Sequence, residues 1–285
     1  LSAEGCFDGQ EIPLHIRYAE HEGCIYIDLG DDAWSQVEVS KVGWKVIGCQ
    51  ESRVKFHRAQ GMKAMSAPVK GGSINLLQQF LNIESQSEWA LITAWLLGAM
   101  RTSGPFPILV LQGEQGTAKS TTARLLKDLI DPSVTQSQSL PRSERDLAIT
   151  ASKSHVLNFD NLSGMRPWLS DAFCRIATGG GFRTRTLYTD DGEQLFNSIR
   201  PMLMNGITDI STRHDFADRS LIVQLPVIPK EQRRPESEIN MYWELTKGQI
   251  LGALCDALSA SLANYEHITL DYLPRMADFA KWVTA

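Results

Sequence analysis

The spacing of apolar residues changes character along the chain. In the first quarter, apolar and polar residues alternate in short runs, which predicts β-strands at residues 14–18, 24–28, 37–39 and 44–47. Beyond residue 73 apolar residues recur at helical intervals, so we predict helices at residues 73–81 and 89–100. The pattern therefore predicts a small β-rich region over residues 1–70, ending in a linker at residues 66–72, and a helical connector over residues 71–104.

Strand-like and helix-like segments alternate in the middle of the chain. The predicted strands lie at residues 107–111, 155–159, 201–205 and 221–226, and the predicted helices at residues 121–130, 144–151 and 167–178. Such alternation favours an α/β fold with a mainly parallel sheet, which we assign to residues 105–230. Two further helical segments, at residues 242–262 and 274–283, predict a helical lid or tail over residues 231–285.

Composition and charge narrow the class of protein. The chain has 285 residues, of which 43% are hydrophobic and 21% charged, and its longest apolar stretches are shorter than the ~20 residues that cross a bilayer, so we expect a soluble, cytoplasmic protein without a membrane partner. Its net charge of −5 means that any contact with nucleic acid must be local. The five scattered cysteines contain no C-x-x-C pair and are expected to be reduced thiols. Because the chain begins at Leu1, it is compatible with a piece of a longer polypeptide.

The strongest chemical signal is a glycine-rich motif directly after the apolar strand at residues 108–111 and before the helix at residues 121–130. It consists of Gly113, Glu114, Gln115, Gly116, Thr117, Ala118, Lys119 and Ser120, with Thr121 following. Backbone N–H groups, a lysine and a hydroxyl at a helix start are what a phosphate chain with Mg²⁺ requires. We therefore predict that residues 113–121 bind ATP, that Lys119 contacts the β- and γ-phosphates, and that Ser120 is a ligand of Mg²⁺. A glycine-rich turn that binds nothing is the alternative.

One position departs from the usual motif. Glycine normally precedes the lysine, whereas this chain has Ala118. The added methyl group costs little if the backbone there is helical, which we expect at a helix start.

Two polar residues end the next predicted strands. Asp160 follows the strand at residues 155–159, and in P-loop NTPases an acid in this place holds the Mg²⁺ shell. The next residue is Asn161 instead of a second acid, so the water-activating base is undecided between Glu114 and Asp171, or hydrolysis is slow. Asn205 ends the strand at residues 201–205 and is predicted to orient the attacking water. The alternatives are a helix or turn cap for Asp160 and a plain turn for Asn205.

An arginine is available to complete the site from a neighbouring subunit. Arg219 precedes the last predicted strand, and we favour it over Arg213 as an arginine finger that neutralises charge in the transition state. A surface salt bridge with Asp215 or Asp218 explains it nearly as well. Arg275, near the C-terminal helix, is a weaker candidate for contact with the γ-phosphate.

The succession of these motifs resembles the ATPase core of phage and plasmid primase-helicases, which are superfamily 3 helicases within the AAA+ ATPases. The resemblance covers about residues 105–228 and includes a threonine-glycine-glycine step at residues 178–180. It implies an AAA+-type P-loop core with three layers and a ring, most simply a hexamer. In that family a basic β-hairpin follows the threonine-glycine-glycine step and lines the central pore.

The corresponding segment here carries Arg183 and Arg185, two residues apart, so in a strand both lie on one face. They are candidates for contact with single-stranded DNA phosphates, although the acidic tip at residues 190–193 departs from a basic hairpin, and a solvated hairpin is the alternative.

These observations predict an ATP-dependent motor, a superfamily 3-type DNA helicase that replicates a phage, plasmid or integrated element. Its expected partners are further copies of itself in a ring, single-stranded or forked DNA, and a primase or other replication protein. The main alternative is an ATP-binding switch or loader that does not separate strands. A small-molecule phosphotransferase is a second alternative.

Overall fold

The computed structural model describes residues 12–162, 165–179, 182–185, 193–196, 199–206 and 214–285. For residues 182–185 and 193–196 the description is of the backbone.

The N-terminal region is a meander of short antiparallel strands, as its alternating pattern predicts. The strands are β1 (Leu14–His15), β2 (Tyr18–His21), β3 (Cys24–Asp28), β4 (Gln36–Ser40), β5 (Gly43–Ile47) and β6 (Lys55–Phe56). Strands β2 to β5 form one sheet in chain order, and β1 pairs with β6 in parallel. The single strand predicted at residues 14–18 is wrong, because the backbone at Arg17 has a φ of 61° and divides it into β1 and β2.

This small sheet is covered on both faces. Tyr18, Ile25 and Val37 belong to the main hydrophobic core, together with residues of the central sheet and the long C-terminal helix. Tyr26 and Phe56 belong to a second, smaller cluster on the other face. The β-rich region is therefore continuous in packing with the rest of the chain.

A four-stranded parallel sheet forms the centre of the molecule. Its strands are β7 (Ile108–Gln112), β8 (Leu157–Leu162), β11 (Met202–Gly206) and β12 (Ser220–Gln224), in the order β12-β7-β11-β8. All three pairings are parallel. Strand β11 thus lies between β7 and β8, and a parallel bridge from Gln138 to Phe159 lies on the outer side of β8. The predicted α/β fold with a parallel sheet is confirmed.

Helices cover both faces of this sheet. Alternate residues of β7 separate into two clusters, with Leu109 and Leu111 in one and Ile108 and Val110 in the other. The connecting helices are α2 (Lys119–Ile130), α3 (Glu144–Ala151), α4 (Pro167–Thr178) and α5 (His214–Ala217). The arrangement is a three-layer sandwich of helix, sheet and helix.

Helices also precede and follow the central sheet. A 3₁₀ helix (Ile74–Phe80) and α1 (Gln86–Ala99) precede it, and α6 (Glu236–Asn264) and α7 (Ala277–Thr284) follow it. The first of the two predicted N-terminal helices is therefore 3₁₀. Ser85 and Glu88 form a reciprocal capping box that fixes the start of α1. Among the described residues, no helix combines the length and apolar character that a bilayer crossing requires.

The segment predicted as a linker, residues 66–72, packs against α6. The Val69 N–H donates to the Gly248 carbonyl at 2.9 Å. A Cβ on Gly252 would lie 1.9 Å from the Val69 carbonyl oxygen, so this contact requires glycine. The local glycines and proline that predict a linker instead allow a close approach to the helix.

A separate antiparallel pair joins β9 (Phe182–Arg185) to β10 (Glu193–Phe196). It matches the predicted hairpin in its strands. Of the predicted acidic tip, residues 190–193, Glu193 begins β10 and residues 190–192 lie outside the described residues.

Candidate functional site

The glycine-rich loop at residues 113–118 connects the carboxyl end of β7 to the start of α2, as predicted. Gly113 has a φ of 152°, and a Cβ there would lie 2.6 Å from the Leu225 carbonyl oxygen. Glycine is therefore required at this position by both backbone angle and space.

The backbone at Ala118 is left-handed, with a φ of 61° and a ψ of 26°. The expected helical angle at this position is wrong, because α2 begins at Lys119 and Ala118 forms the turn into it. A residue with a Cβ costs about 1–2 kcal/mol in this conformation. Ala118 is thus a strained substitute for the usual glycine.

The Lys119 side chain curls back into the loop. Its Nζ donates to the Gly113 carbonyl at 2.8 Å and to the Glu114 carbonyl at 2.6 Å, and it lies 3.2 Å from the Thr117 hydroxyl. Burial lowers the pKa of the Lys119 ammonium, and the Asp160 carboxylate opposes that shift. A partly desolvated cation held only by neutral oxygens is well placed to bind an anion that enters the loop.

The two predicted metal ligands meet beside the lysine. The Ser120 hydroxyl donates to Asp160 Oδ1 at 3.0 Å, which joins the first turn of α2 to the carboxylate on β8. Among the described residues no group of three or more His, Cys, Asp or Glu side chains is arranged to hold a metal ion. A hydroxyl with one carboxylate fits Mg²⁺, which takes oxygen ligands and completes its shell with water and phosphate oxygens.

Asn205 lies between the loop and Asp160 because β11 lies between β7 and β8. It pairs in register with Leu111, two residues before the loop, and is 1% exposed. A cavity of about 630 Å³ joins the predicted residues, with Gln115, Gly116, Ala118, Lys119, Ser120, Thr121, Asp160 and Asn205 in its wall. Chain positions as far apart as 115 and 205 thus meet at one edge of the sheet.

Arg219 lies at the opposite end of the sheet from the cavity, where the parallel strands begin. Ser220, the next residue, pairs with Ile108 at the start of β7, whereas the loop follows Gln112 at its end. Four residue steps of strand separate the two edges by about 13 Å. The Arg219 side chain forms an ion pair with Asp215 and does not enter the cavity of its own chain.

Arg275 joins the same charged cluster. Its guanidinium pairs with Asp215 Oδ1 and Asp218 Oδ2, each at 3.0 Å. It is therefore placed away from the cavity, and its suggested contact with the γ-phosphate is not supported by this arrangement. Asp171, one suggested base, lies in α4 and is not part of the cavity wall. Glu114 lies in the loop with an exposed side chain.

Arg183 and Arg185 lie in β9, on the separate antiparallel pair. Arg183 is in register with Leu195 and Arg185 with Glu193. They occupy alternate positions of one strand, as predicted, and so share a face of the pair. Arg213, the less favoured candidate for an arginine finger, lies outside the described residues.

Asn82 was not predicted, yet its side chain is tied to the loop. Its Nδ2 donates to the Thr117 carbonyl at 3.2 Å and to the Pro226 carbonyl at 2.5 Å. It therefore joins the loop to the segment that follows β12. No local pattern marks this asparagine, since its two partners are distant in the sequence.

Comparison with known proteins adds the identity of the family. The family model of the actinomycete integrative conjugative element replication protein matches residues 74–285, which is most of the chain. The chain belongs to this family. It is a replication protein of a mobile element, and of the predicted sources the integrated element is the one supported. No curated protein matches the chain.

Several solved structures resemble this replication protein. The A form of the apo C-terminal region of NrS-1 is 12% identical with a TM-score of 0.49, and the match covers 78% of this chain and 64% of that one. The active helicase Cch of SCCmec type IV is 16% identical with a TM-score of 0.49, covering 90% and 48%. JCV helicase with a bound small molecule is 9% identical with a TM-score of 0.33, covering 70% and 61%. The chain spans less than two thirds of the length of each of these structures.

Proposed function

We propose that this replication protein is an ATP-dependent motor of the AAA+ class, a superfamily 3-type DNA helicase that acts in replication of its element. The observation that carries the proposal is the meeting of Lys119, Ser120, Asp160 and Asn205 in one cavity at the carboxyl edge of a parallel sheet. The strand order supports the AAA+ assignment, because β11 is an additional strand between the strand of the loop and the strand of the carboxylate.

The residues of the cavity have separate roles in binding and hydrolysing ATP. Backbone N–H groups of the loop and the positive end of α2 bind the phosphates, and Lys119 moves from carbonyl oxygens onto the β- and γ-phosphates. Ser120 and Asp160 would hold Mg²⁺, which would supply positive charge against the phosphates. The Asn205 amide orients the attacking water between the carboxylate and the γ-phosphate.

The hydrolytic site is completed by a second copy of the chain. Arg219 is held by Asp215 at the far edge of the sheet, where a neighbouring subunit in a ring would meet it. This placement supports a finger that acts between subunits, since the guanidinium does not enter its own cavity. A closed ring, most simply a hexamer, repeats this boundary at every subunit.

Contact with DNA is assigned to the β9–β10 pair. Arg183 and Arg185 share one face and would meet phosphates of single-stranded DNA without selecting a sequence. A primase or another replication protein is the proposed further partner.

A second candidate function is an ATP-binding switch that loads another replication protein. The observation that favours it is Asn161, which follows Asp160 where many ATPases carry a second acid. Slow hydrolysis would suit a switch, whereas a motor must turn over rapidly on DNA.

Three measurements on one preparation separate these functions. Gel filtration with ATP and Mg²⁺ should show a ring, ATP hydrolysis should increase with single-stranded DNA, and a forked duplex should be unwound. A protein that binds ATP but neither hydrolyses it faster on DNA nor releases a strand is a switch. A strict monomer that hydrolyses ATP normally contradicts the shared site.

A further inference from the structure

The segment after β12 is attached at three points, one at the end of β7 and two in the nucleotide loop. The Leu225 N–H donates to the Gln112 carbonyl at 2.8 Å, and the Ile228 N–H donates to the Gly116 carbonyl at 3.2 Å. Asn82 supplies the third attachment by bridging the Thr117 and Pro226 carbonyls. The course of the chain from residue 225 to residue 228 is therefore fixed relative to the loop, and Arg233 follows five residues later.

This course brings Arg233 onto the loop. A Cβ added to Gly116 would lie 3.3 Å from Arg233 Nη2, so the guanidinium lies close to the loop at this exposed glycine. The Arg233 Nε donates to the Ile228 carbonyl at 3.4 Å, which keeps the side chain over the loop.

Arg233 differs from its neighbour in its charge partners. Arg234 forms an ion pair with Glu238 at 3.1 Å. Within the described part of the chain, Arg233 forms no ion pair with a carboxylate, although its side chain lies at the edge of a cavity. A cation in this state can pair with an anionic ligand without first losing a protein partner.

Arg233 lines a second cavity that adjoins the first. This cavity, of about 540 Å³, shares Gly116, Ala118 and Thr121 with the cavity that holds Lys119 and Asp160. Its wall also contains apolar and amide side chains that suit an aromatic base and a ribose, namely Phe80, Leu81, Asn82, Ile228 and Ile239. The two cavities adjoin at these three shared residues, and the predicted metal-binding residues line only the first.

We propose that Arg233 binds the nucleoside end of the phosphate chain within its own subunit, and that the second cavity takes the base and ribose of the nucleoside triphosphate. The inference rests on the proposed function, because it assumes that the loop binds nucleotide. With Lys119, Ser120 and Asp160 holding the γ-phosphate and metal, the chain of phosphates would run across Gly116 toward Arg233. A planar guanidinium donates two parallel hydrogen bonds to phosphate oxygens.

The proposed position of Arg233 determines how its removal should change the affinities for ATP and ADP. ATP and ADP share the phosphate nearest the nucleoside, so Arg233→Ala should weaken both to a similar extent, by about tenfold. At saturating ATP the rate of hydrolysis should fall less than the affinity does, because the contact is the same before and during the reaction. Arg233→Lys keeps the charge but not the fork and should recover part of the affinity.

The experiment is calorimetric titration of ATP and of ADP, each with Mg²⁺, into the wild-type chain, Arg233→Ala, Arg233→Lys and Lys230→Ala. Lys230 is a matched control, since it is an exposed cation of the same segment outside both cavities. Melting temperatures without nucleotide verify that each variant is folded. Equal weakening of ATP and ADP by Arg233→Ala, with Lys230→Ala unchanged, supports the proposal.

Three outcomes overturn it. Unchanged affinity of Arg233→Ala for both nucleotides refutes the contact while leaving the proposed function intact. A lower hydrolysis rate with unchanged ADP affinity would mean that Arg233 acts on the γ-phosphate instead. Absence of binding by the wild-type chain contradicts the proposed function together with this inference.

Discussion

Replacing Ala118 with glycine should stabilise the protein, although glycine usually destabilises. Ala118 has a φ of 61° and lies directly before α2 without a side-chain cap. Its Cβ is the source of the strain, and Ala118→Gly removes that atom without removing a hydrogen bond. The loop keeps its backbone donors, so its capacity to bind phosphate should be retained.

The expected magnitude follows from two opposing terms. The left-handed conformation costs a residue with a Cβ about 1–2 kcal/mol. Glycine lowers this cost but gains about 0.5–1 kcal/mol of conformational freedom in the unfolded chain. The net gain in the free energy of unfolding is about 0.5–1 kcal/mol, which for a chain of this size raises the melting temperature by about 1–3 °C.

The assay compares two alanine-to-glycine substitutions by thermal unfolding without nucleotide, since bound nucleotide stabilises the folded state on its own. Ala90 is exposed inside α1, where glycine should lower the free energy of unfolding by about 0.5–1 kcal/mol. The same chemical change should therefore have opposite signs at the two positions. If Ala118→Gly lowers the melting temperature as Ala90→Gly does, the strain assigned to the loop is not present.

Three further predictions concern buried charge and the subunit boundary. Burial raises the pKa of Asp131, but Lys127 and Arg17 outweigh this effect and hold that pKa well below its ordinary range. Asp131→Asn leaves both cations without a carboxylate partner and should lower the free energy of unfolding in urea by about 3 kcal/mol. A decrease of less than about 1 kcal/mol would contradict this expectation. Burial and nearby Arg200 lower the pKa of His155 to about 4. As the pH falls the unfolded chain therefore takes up this proton before the folded chain does, and the free energy of unfolding should fall by about 2 kcal/mol from pH 7 to pH 5. If the free energy of unfolding of His155→Gln changes as much with pH as that of the wild type, another group is responsible. Arg219→Ala subunits and Lys119→Ala subunits should each fail to hydrolyse ATP alone but regain hydrolysis when the two are mixed. In a mixed ring about a quarter of the boundaries between subunits carry both an intact Lys119 and an intact Arg219. No recovery of ATP hydrolysis in a mixed ring would exclude the shared site.

Element positions follow from local sequence where both ends carry a signal. The helix predicted at residues 167–178 is α4, because Pro167 occupies its first turn and Gly179 ends it with a φ of 98°. The packing of residues 66–72 against α6 could not be predicted, because it depends on Gly252, which lies far along the chain. Local pattern shows that a chain can bend, and tertiary contact decides where it lies.

The candidate site also contains some residues that local sequence predicts and others that it does not. Asp160 and Asn205 could be placed because each lies near the carboxyl end of a buried parallel strand, and such ends meet at one edge of the sheet. Strand β8 continues to Leu162, two residues beyond the predicted position of its end at Asp160. Asn82 and Arg233 could not, since each reaches the loop from a segment without a recognisable motif. The strain at Ala118 was also missed, because a single residue name does not reveal a backbone angle.

Binding of ATP is the claim on which the account depends, and calorimetric titration of ATP with Mg²⁺ tests it most directly. The wild-type chain should bind with a dissociation constant in the range of about 1 μM to 1 mM. Lys119→Ala should bind at least about tenfold more weakly, while Lys153→Ala, an exposed lysine outside the cavity, should match the wild type. No heat from the folded wild-type chain, or equal affinity in Lys119→Ala, would contradict the account.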